Sequence, residues 1–381
     1  MRRIYLDNAA TTQPHTEVLE AMKACMDSCW GNPSSIHAYG REARTIIDRA
    51  RRQVAELVGA APAEIFFTSG GTEANNLALR QTVRSLGVKR AITSPTEHHA
   101  VLHTLEEMAH NGEVELLLVH IDQEGRVDLT HLEELLKDQP RTLVSLMHAN
   151  NEIGTRLPLD RVSEICRQYG AYLHSDAVQT MGHYRFNLSG QYLQFTNCAA
   201  HKFHGPKGIG FCYIDSKVQI HPLITGGAQE RNMRAGTENL YGIVGLAKAM
   251  EIAHRDMESD ATYVRSLKDR MAAQLRERIP GLEFNGDIGP DSLYTVLNVL
   301  LPESEASDMA LFKLDIQGIA ASGGSACSSG SNVGSHVIGA IRPGTPRSSV
   351  RFSFSRFNTA DEIDYAVEIL EKMFVPAGLH A

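Results

Sequence analysis

Between residues 60 and 215, short apolar or β-branched runs alternate with stretches of helical period, and this alternation restricts the fold more than any other feature of the chain. The runs are EIFFT (64–68), RAITS (90–94), ELLLVH (115–120), TLVSLM (142–147), AYLHS (171–175), FTNC (195–198) and GFCYI (210–214). They are too short for buried helices but suit strands covered on both faces. The intervening segments, such as REARTIIDRARRQVAELVG (41–59) and LDRVSEICRQYG (159–170), carry apolar residues at i, i+3 and i+4 and stop at glycine. The alternation predicts an α/β fold with a mostly parallel seven-stranded sheet between helical layers.

After Thr237 the pattern changes. A helical stretch runs to about Arg278 and is broken by IPGLEFNGDIGPDS; then come the strand LYTVLNVLL, a short helix near Ser307 to Leu314, the strand SSVRFSFS and a helix from Ala360 to Phe374. This order predicts a smaller α+β domain made of 1–14 and 259–381, beside a large domain of 15–258, with the junction between Arg255 and Tyr263. The small domain carries a loop at about 320–334, SGGSACSSGSN around Cys327, with no apolar stripe that would bury the thiol.

Lys and Arg total 37 and Asp and Glu 45, a net charge of -8 with no basic tract to follow a phosphate backbone, so direct nucleic-acid binding is not expected. No apolar run approaches the roughly 18 residues of a membrane span, and MRRIYLDNAA lacks the core of a signal peptide; the expected location is cytoplasmic. The six dispersed cysteines read as reduced thiols. Cys25 and Cys29 stand one helical turn apart, but no second pair completes a metal site, and they read as buried helix thiols.

Three stretches carry chemistry. In FFTSGGTEANNLAL a strand ends at Thr68, glycines follow and a helix opens near Thr72, a geometry that serves either as plain structure or as a phosphate cradle. In YLHSDAVQTMG, Asp176 and Gln179 follow a strand's C-terminal end, where open α/β sheets bind ligands and where an aspartate also caps helices. In CAAHKFHGPKGIGF, Lys202 lies between two histidines before a turn; with few neighbours to pair it, its amine would be a nucleophile, and otherwise it is a solvated loop lysine. A phosphate cradle, a carboxylate and a nucleophilic lysine on one sheet together fit pyridoxal 5'-phosphate (PLP).

The chain resembles the cysteine desulfurases of the class-V aminotransferase superfamily, in the NifS/IscS-like group rather than the SufS-like one. The resemblance rests on YLDNAATT (5–12), GNPSSIHAYGREAR (31–44), TSGGTEANNLAL (68–79), TEHHAV (96–101), MHANNEIG (147–154), HSDAVQ (174–179), HKFHGPKGIG (201–210), RAGTEN (234–239), SGGSACSSGS (322–331) and SSVRFSFSRFNTADEID (348–364), which run nearly end to end in family order. It implies the type I PLP-dependent transferase fold and conversion of L-cysteine to L-alanine, the sulfur leaving as a persulfide on Cys327 for an acceptor protein.

The resemblance also implies residue roles. Lys202 bonds the cofactor aldehyde and moves the Cα proton; Asp176 pairs with the pyridine nitrogen and Gln179 with the phenolic oxygen; His98, rather than His99, stacks on the ring and handles a proton at the substrate sulfur. Gly71, Thr72, Ala199 and His201 align with phosphate-side contacts, and Thr237 with a threonine that reaches the phosphate of the other subunit, which implies a homodimer. Asn151 and Arg351 hold the substrate carboxylate, Arg356 being the decoy. Cys327 attacks the substrate sulfur as a thiolate, and its glycines and serines imply a long, mobile tether.

Gln13 precedes Pro14 where relatives place proline directly after TT, and Ala228 and Gln229 replace a common Gly-His. The chain ends at Ala381 without the tail that IscS-type enzymes use to dock an Fe–S scaffold, so delivery through such a tail is not expected; the resemblance leaves the acceptor open between an Fe–S scaffold, a tRNA-thiolation enzyme and another route. The competing readings are a selenocysteine lyase or another class-V enzyme, and a sulfur-relay binding subunit.

Overall fold

The computed structural model describes residues 2–138, 140–324 and 334–374. Its strands are β1 (Ile4–Tyr5), β2 (Ile65–Thr68), β3 (Arg90–Thr93), β4 (Glu115–Leu118), β5 (Thr142–Ser145), β6 (Tyr172–Ser175), β7 (Phe195–Ala199), β8 (Gly210–Ile214), β9 (Glu283–Asn285), β10 (Val296–Leu300), β11 (Ile319–Ala320) and β12 (Ser349–Ser353). The helices are α1 (Thr16–Ser28), α2 (Ala38–Leu57), α3 (Gly71–Leu86), α4 (His99–His110), α5 (Leu129–Leu136), α6 (Leu159–Tyr169), α7 (Leu240–Arg278), α8 (Glu305–Asp308), α9 (Ala310–Ile316), α10 (His336–Ile341) and α11 (Ala360–Phe374). The short helix expected near Ser307 is two pieces, α8 and α9, broken at Met309.

The seven apolar runs form one sheet in the order β2-β8-β7-β6-β5-β3-β4. Only β8 is antiparallel to its neighbours, which leaves the other six strands pointing the same way. Side-chain alternation divides each strand between two cores. Ile65 and Phe67, with Phe211 and Tyr213, face the large cluster built on α2, α6 and the first part of α7. Phe66, Cys212 and Ile214 face α3, while Ala91 and Leu143 face α3 and α4. Each fully buried aliphatic or phenyl group contributes roughly 1.5–3 kcal/mol, so a one-residue slip in any of these strands would be heavily penalised.

Helix α2 shows why the local sequence is helical: Ala43, Ile47, Ala50 and Val54 repeat at three and four residues and are all buried. Gly170, at φ 64°, ends α6 in the left-handed conformation that glycine adopts without a Cβ clash. Cys25 and Cys29 are both buried in the large core.

A second cluster joins Ile4 and Leu6 to Val264–Leu275 of α7, the antiparallel sheet β12-β10-β9, and α9 and α11. Helix α7 is continuous: its residues up to Ile252 serve the first core and those from Val264 the second. Among the described residues no helix is long and apolar enough to cross a membrane.

Candidate active site

The parallel strands deliver their following residues to one edge of the sheet, and there a cavity of about 210 Å³ opens. It is lined by Gly71 and Thr72 after β2, His98 after β3, Met147 and Asn151 after β5, Asp176 and Gln179 after β6, and Ala199, His201 and Lys202 at the end of β7. Arg351 of β12 closes it from the second core, with Ala9 and Ala10 from the N-terminal segment. Of the residues expected at the site, Thr237 is exposed and does not line this cavity, and Cys327 lies outside the described residues.

Helix α3 begins beyond Gly70, whose φ of 150° suits glycine, and no side chain caps it. A Cβ on Gly71 would stand 2.6 Å from Val178 Cγ2, so the first turn approaches the cavity floor as only glycine allows. The uncapped N–H groups and the positive end of the helix dipole face an anion-sized space.

Asp176 caps no helix. Its Oδ1 accepts from Val178 N at 2.9 Å and its Oδ2 from Asn75 Nδ2 at 2.6 Å. Asn75 is itself held by Asn197 Nδ2, so a buried amide relay aims the carboxylate. Lys202 also departs from expectation. It sits on the one-turn helix Ala200–Lys202 in the connection between β7 and β8, and it does have partners: Nζ donates to Ala9 O at 2.6 Å and Ala10 O at 2.9 Å. Gln179 Nε2 donates to the same Ala9 carbonyl at 3.1 Å.

His98 is the N-cap of α4, its Nδ1 accepting from Ala100 N at 3.1 Å, which leaves Nε2 to carry the ring proton in the neutral tautomer. Burial, together with the charges of Lys202 and Lys207, holds His201 down at about 4, and its Nδ1 lies 3.2 Å from Thr11 Oγ1. Glu97, next to His98, is 1% exposed; burial pushes its carboxyl well above the usual range, and its Oε1 accepts from Met147 N at 2.6 Å.

Arg351 is 1% exposed. Nη1 donates to Asn151 O at 3.0 Å and Nη2 to Asp7 Oδ1 at 2.8 Å, while buried Nε has no partner among the described residues. An oriented guanidinium with unused N–H groups in a cavity is suited to a carboxylate. Arg356 instead pairs with Asp256 and Asp260 and does not line this cavity. Arg351→Lys keeps the charge but loses the fork; it should raise KM for an amino-acid substrate about tenfold to a hundredfold with a smaller change in kcat, as steady-state kinetics would read.

The sequence profile of the class-V aminotransferases matches residues 4–366. The chain belongs to this family. It is 42% identical over 379 residues to the cysteine desulfurase IscS of Dictyoglomus turgidum, covering 98% of this chain and 94% of that one. Among solved structures, one described as a NifS-like protein superposes with a TM-score of 0.89 at 36% identity, covering 98% and 99% of the two chains. Another, SspA in complex with cysteine, gives 0.79 at 29% identity over 93% and 100%. The NifS-like superposition covers the seven-stranded, mostly parallel sheet described above along with nearly the whole of the chain.

Asp7, Asn75, Asn197, Glu97 and the carbonyls of Ala9 and Ala10 were not read as site residues from sequence. Only Asn75 left a signal, being a polar residue on the apolar face of α3 that holds Ala74, Leu77 and Ala78. The nearby His174 offers a test of burial: it is 1% exposed, with Nδ1 at 2.8 Å from Ser145 Oγ, and desolvation lowers it from 6.5 to about 4. Because the unfolded chain takes the proton first, this contribution is complete above 6.5 and is lost as pH falls toward 4. Urea unfolding should therefore show about 1 kcal/mol less stability at pH 5.5 than at pH 7 from this residue, and His174→Gln should lose that part of the pH dependence.

Proposed function

We propose that this chain is a PLP-dependent L-cysteine desulfurase, yielding L-alanine and a persulfide on Cys327 that passes to an acceptor protein. One observation carries the reading: Lys202, Asp176, the uncapped start of α3 and the Arg351 guanidinium line a single cavity. Relatives named cysteine desulfurase and a neighbour solved with cysteine support the same chemistry.

The residues fit the cofactor. The N–H groups at Gly71 and Thr72 would hold its phosphate, with Ala199 and His201 alongside; Asp176 would take the pyridine nitrogen, Gln179 the phenolic oxygen, and His98 the ring face. Bound there, PLP supplies an electron-accepting ring that weakens the Cβ–Sγ bond of the substrate. Lys202 is the amine that would hold the cofactor's aldehyde carbon when no substrate is present, and the same amine would move the proton at Cα. Arg351 and Asn151 orient the carboxylate. His98, whose Nδ1 is taken by Ala100 N, would exchange a proton with the substrate sulfur through Nε2. The Cys327 thiolate would form a bond to that sulfur as the Cβ–Sγ bond breaks, the bonding pair staying with Cβ, which takes a proton to become the methyl group of L-alanine; the reduction at carbon matches the oxidation at sulfur and no external oxidant is needed.

Both ends of the segment bearing Cys327 are fastened near the cavity. Ser322 and Arg351 exchange backbone hydrogen bonds of 2.6 and 3.2 Å, and Ser335 Oγ donates to Glu152 Oε2 at 2.6 Å, one residue from Asn151.

We read the large body as 15–258 and the small one as 1–14 with 259–381, and the working form as a homodimer in which Thr237 completes the partner's phosphate site. Trp30, Ile36 and Tyr39 are 66%, 90% and 56% exposed, the surface expected of a chain that buries them against a second copy. The five described cysteines are all buried and free, as suits the cytoplasm. The test is incubation of the PLP-loaded protein with L-cysteine, followed by mass spectrometry of the Cys327 peptide and an alanine assay. A gain of one sulfur with matching alanine supports the reading; alanine without the added sulfur would remove Cys327 from it.

A further inference from the structure

Thr237 is exposed, yet the segment leading to it is strained and tightly held. Glu230, Arg231 and Asn232 have φ of 46°, 55° and 65°, three consecutive non-glycine residues in the left-handed region. L-residues avoid this region because Cβ crowds the following carbonyl, and such strain persists only where the surroundings enforce it.

The surroundings here are specific. Glu230 is 2% exposed and meets Arg51 of α2, itself 3% exposed, through two bonds of 2.7 Å; Phe67 N donates to the same carboxylate at 2.9 Å. Arg231 donates to the carbonyls of Ala63 and Ile65 and lies over the Phe66 ring at 4.4 Å. Gln229 Oε1 accepts from Gly236 N at 3.1 Å, immediately before Thr237. Arg234 is bonded at 2.9 Å to Glu73 in the first turn of α3. The stretch is thus braced against α2, β2 and the helix start that lines the cavity, while Thr237 itself is exposed and outside that cavity.

We propose that the buried Arg51–Glu230 pair, with Gln229, is a positioning device that enforces the left-handed turn and thereby presents Thr237 to the cofactor phosphate of the other subunit. This rests on the reading above that Thr237 acts across the dimer. Glu230 is therefore a positioning residue whose effect is felt in its partner's site rather than its own.

Subunit mixing separates these cases. Holoenzyme heterodimers carrying two different tags pair a Lys202→Ala subunit with a Glu230→Gln subunit. The Glu230→Gln homodimer should lose about tenfold in desulfuration and release PLP about tenfold more readily, the scale of one charged hydrogen bond. In the heterodimer the intact loop of the Lys202→Ala chain serves the other site, so activity should return to about half that of the unaltered dimer, one site of two. Gln229→Ala, which uncovers no charge, should behave the same way at about threefold and guards against misfolding of the first variant. Thr237→Ala paired with Lys202→Ala is the reference. If the reference recovers but neither the Glu230→Gln nor the Gln229→Ala hybrid does, the inference is overturned and the pair acts within its own subunit. If the reference itself fails to recover, the cross-subunit reading falls and takes the inference with it.

Discussion

Lys202→Ala should lower L-cysteine turnover by at least about 10⁴-fold, because one amine is asked both to bond the cofactor aldehyde and to move the Cα proton, and a positioned base alone contributes 10²–10⁴. The protein should stay folded. The loss removes one donor from the carbonyls of Ala9 and Ala10, a cost of about 1–3 kcal/mol at a partly buried site, whereas the sheet and both cores are untouched. Cofactor should still bind through Asp176 and the start of α3, but without a covalent link, so borohydride reduction should attach PLP to the unaltered protein and not to the variant. Added small amines should restore part of the turnover. Retention of more than about one per cent of the activity would show that another group moves the proton.

Cys327→Ala should abolish sulfide release from L-cysteine, by at least about 10³-fold, while leaving the absorbance of the lysine-bound cofactor in place. The reason is chemical: with no thiolate to accept it, the sulfur has nowhere to go, although every residue that binds cofactor and carboxylate remains. Cofactor absorbance and L-alanine binding should therefore match the unaltered enzyme, which separates this variant from Arg351→Lys, where binding is what fails. The same variant distinguishes the competing readings. A selenocysteine lyase would still release selenide from selenocysteine, and an aminotransferase would be indifferent to the change.

Several site residues could be found from sequence because local chemistry marks them. Gly70 and Gly71 announce a strand-to-helix turn through their own backbone demands, and the stop of β6 places Asp176 at a strand's C-terminal end. The residues that orient them could not. Asn75 lies 101 positions from Asp176, Asp7 lies 344 positions from Arg351, and the Ala9 carbonyl lies 193 positions from the Lys202 amine it accepts from. No periodicity or spacing encodes such pairs, since each residue is unexceptional in its own neighbourhood. The sequence reading also gave Lys202 few partners, and the N-terminal segment that supplies two carbonyls to it lies far off in the chain.

The sequence by itself determined the elements and their order. Short continuous apolar runs must be buried on both faces of a sheet, apolar side chains at three and four along one side of a helix, and the glycines mark where each must stop. The tertiary structure decided the reversal of β8, the closure of the cavity by Arg351, and the enforced left-handed turn at Glu230. The physical reason is range: periodicity acts through neighbours a few residues apart, whereas strand direction, buried charge pairing and backbone strain depend on which distant groups are brought into contact.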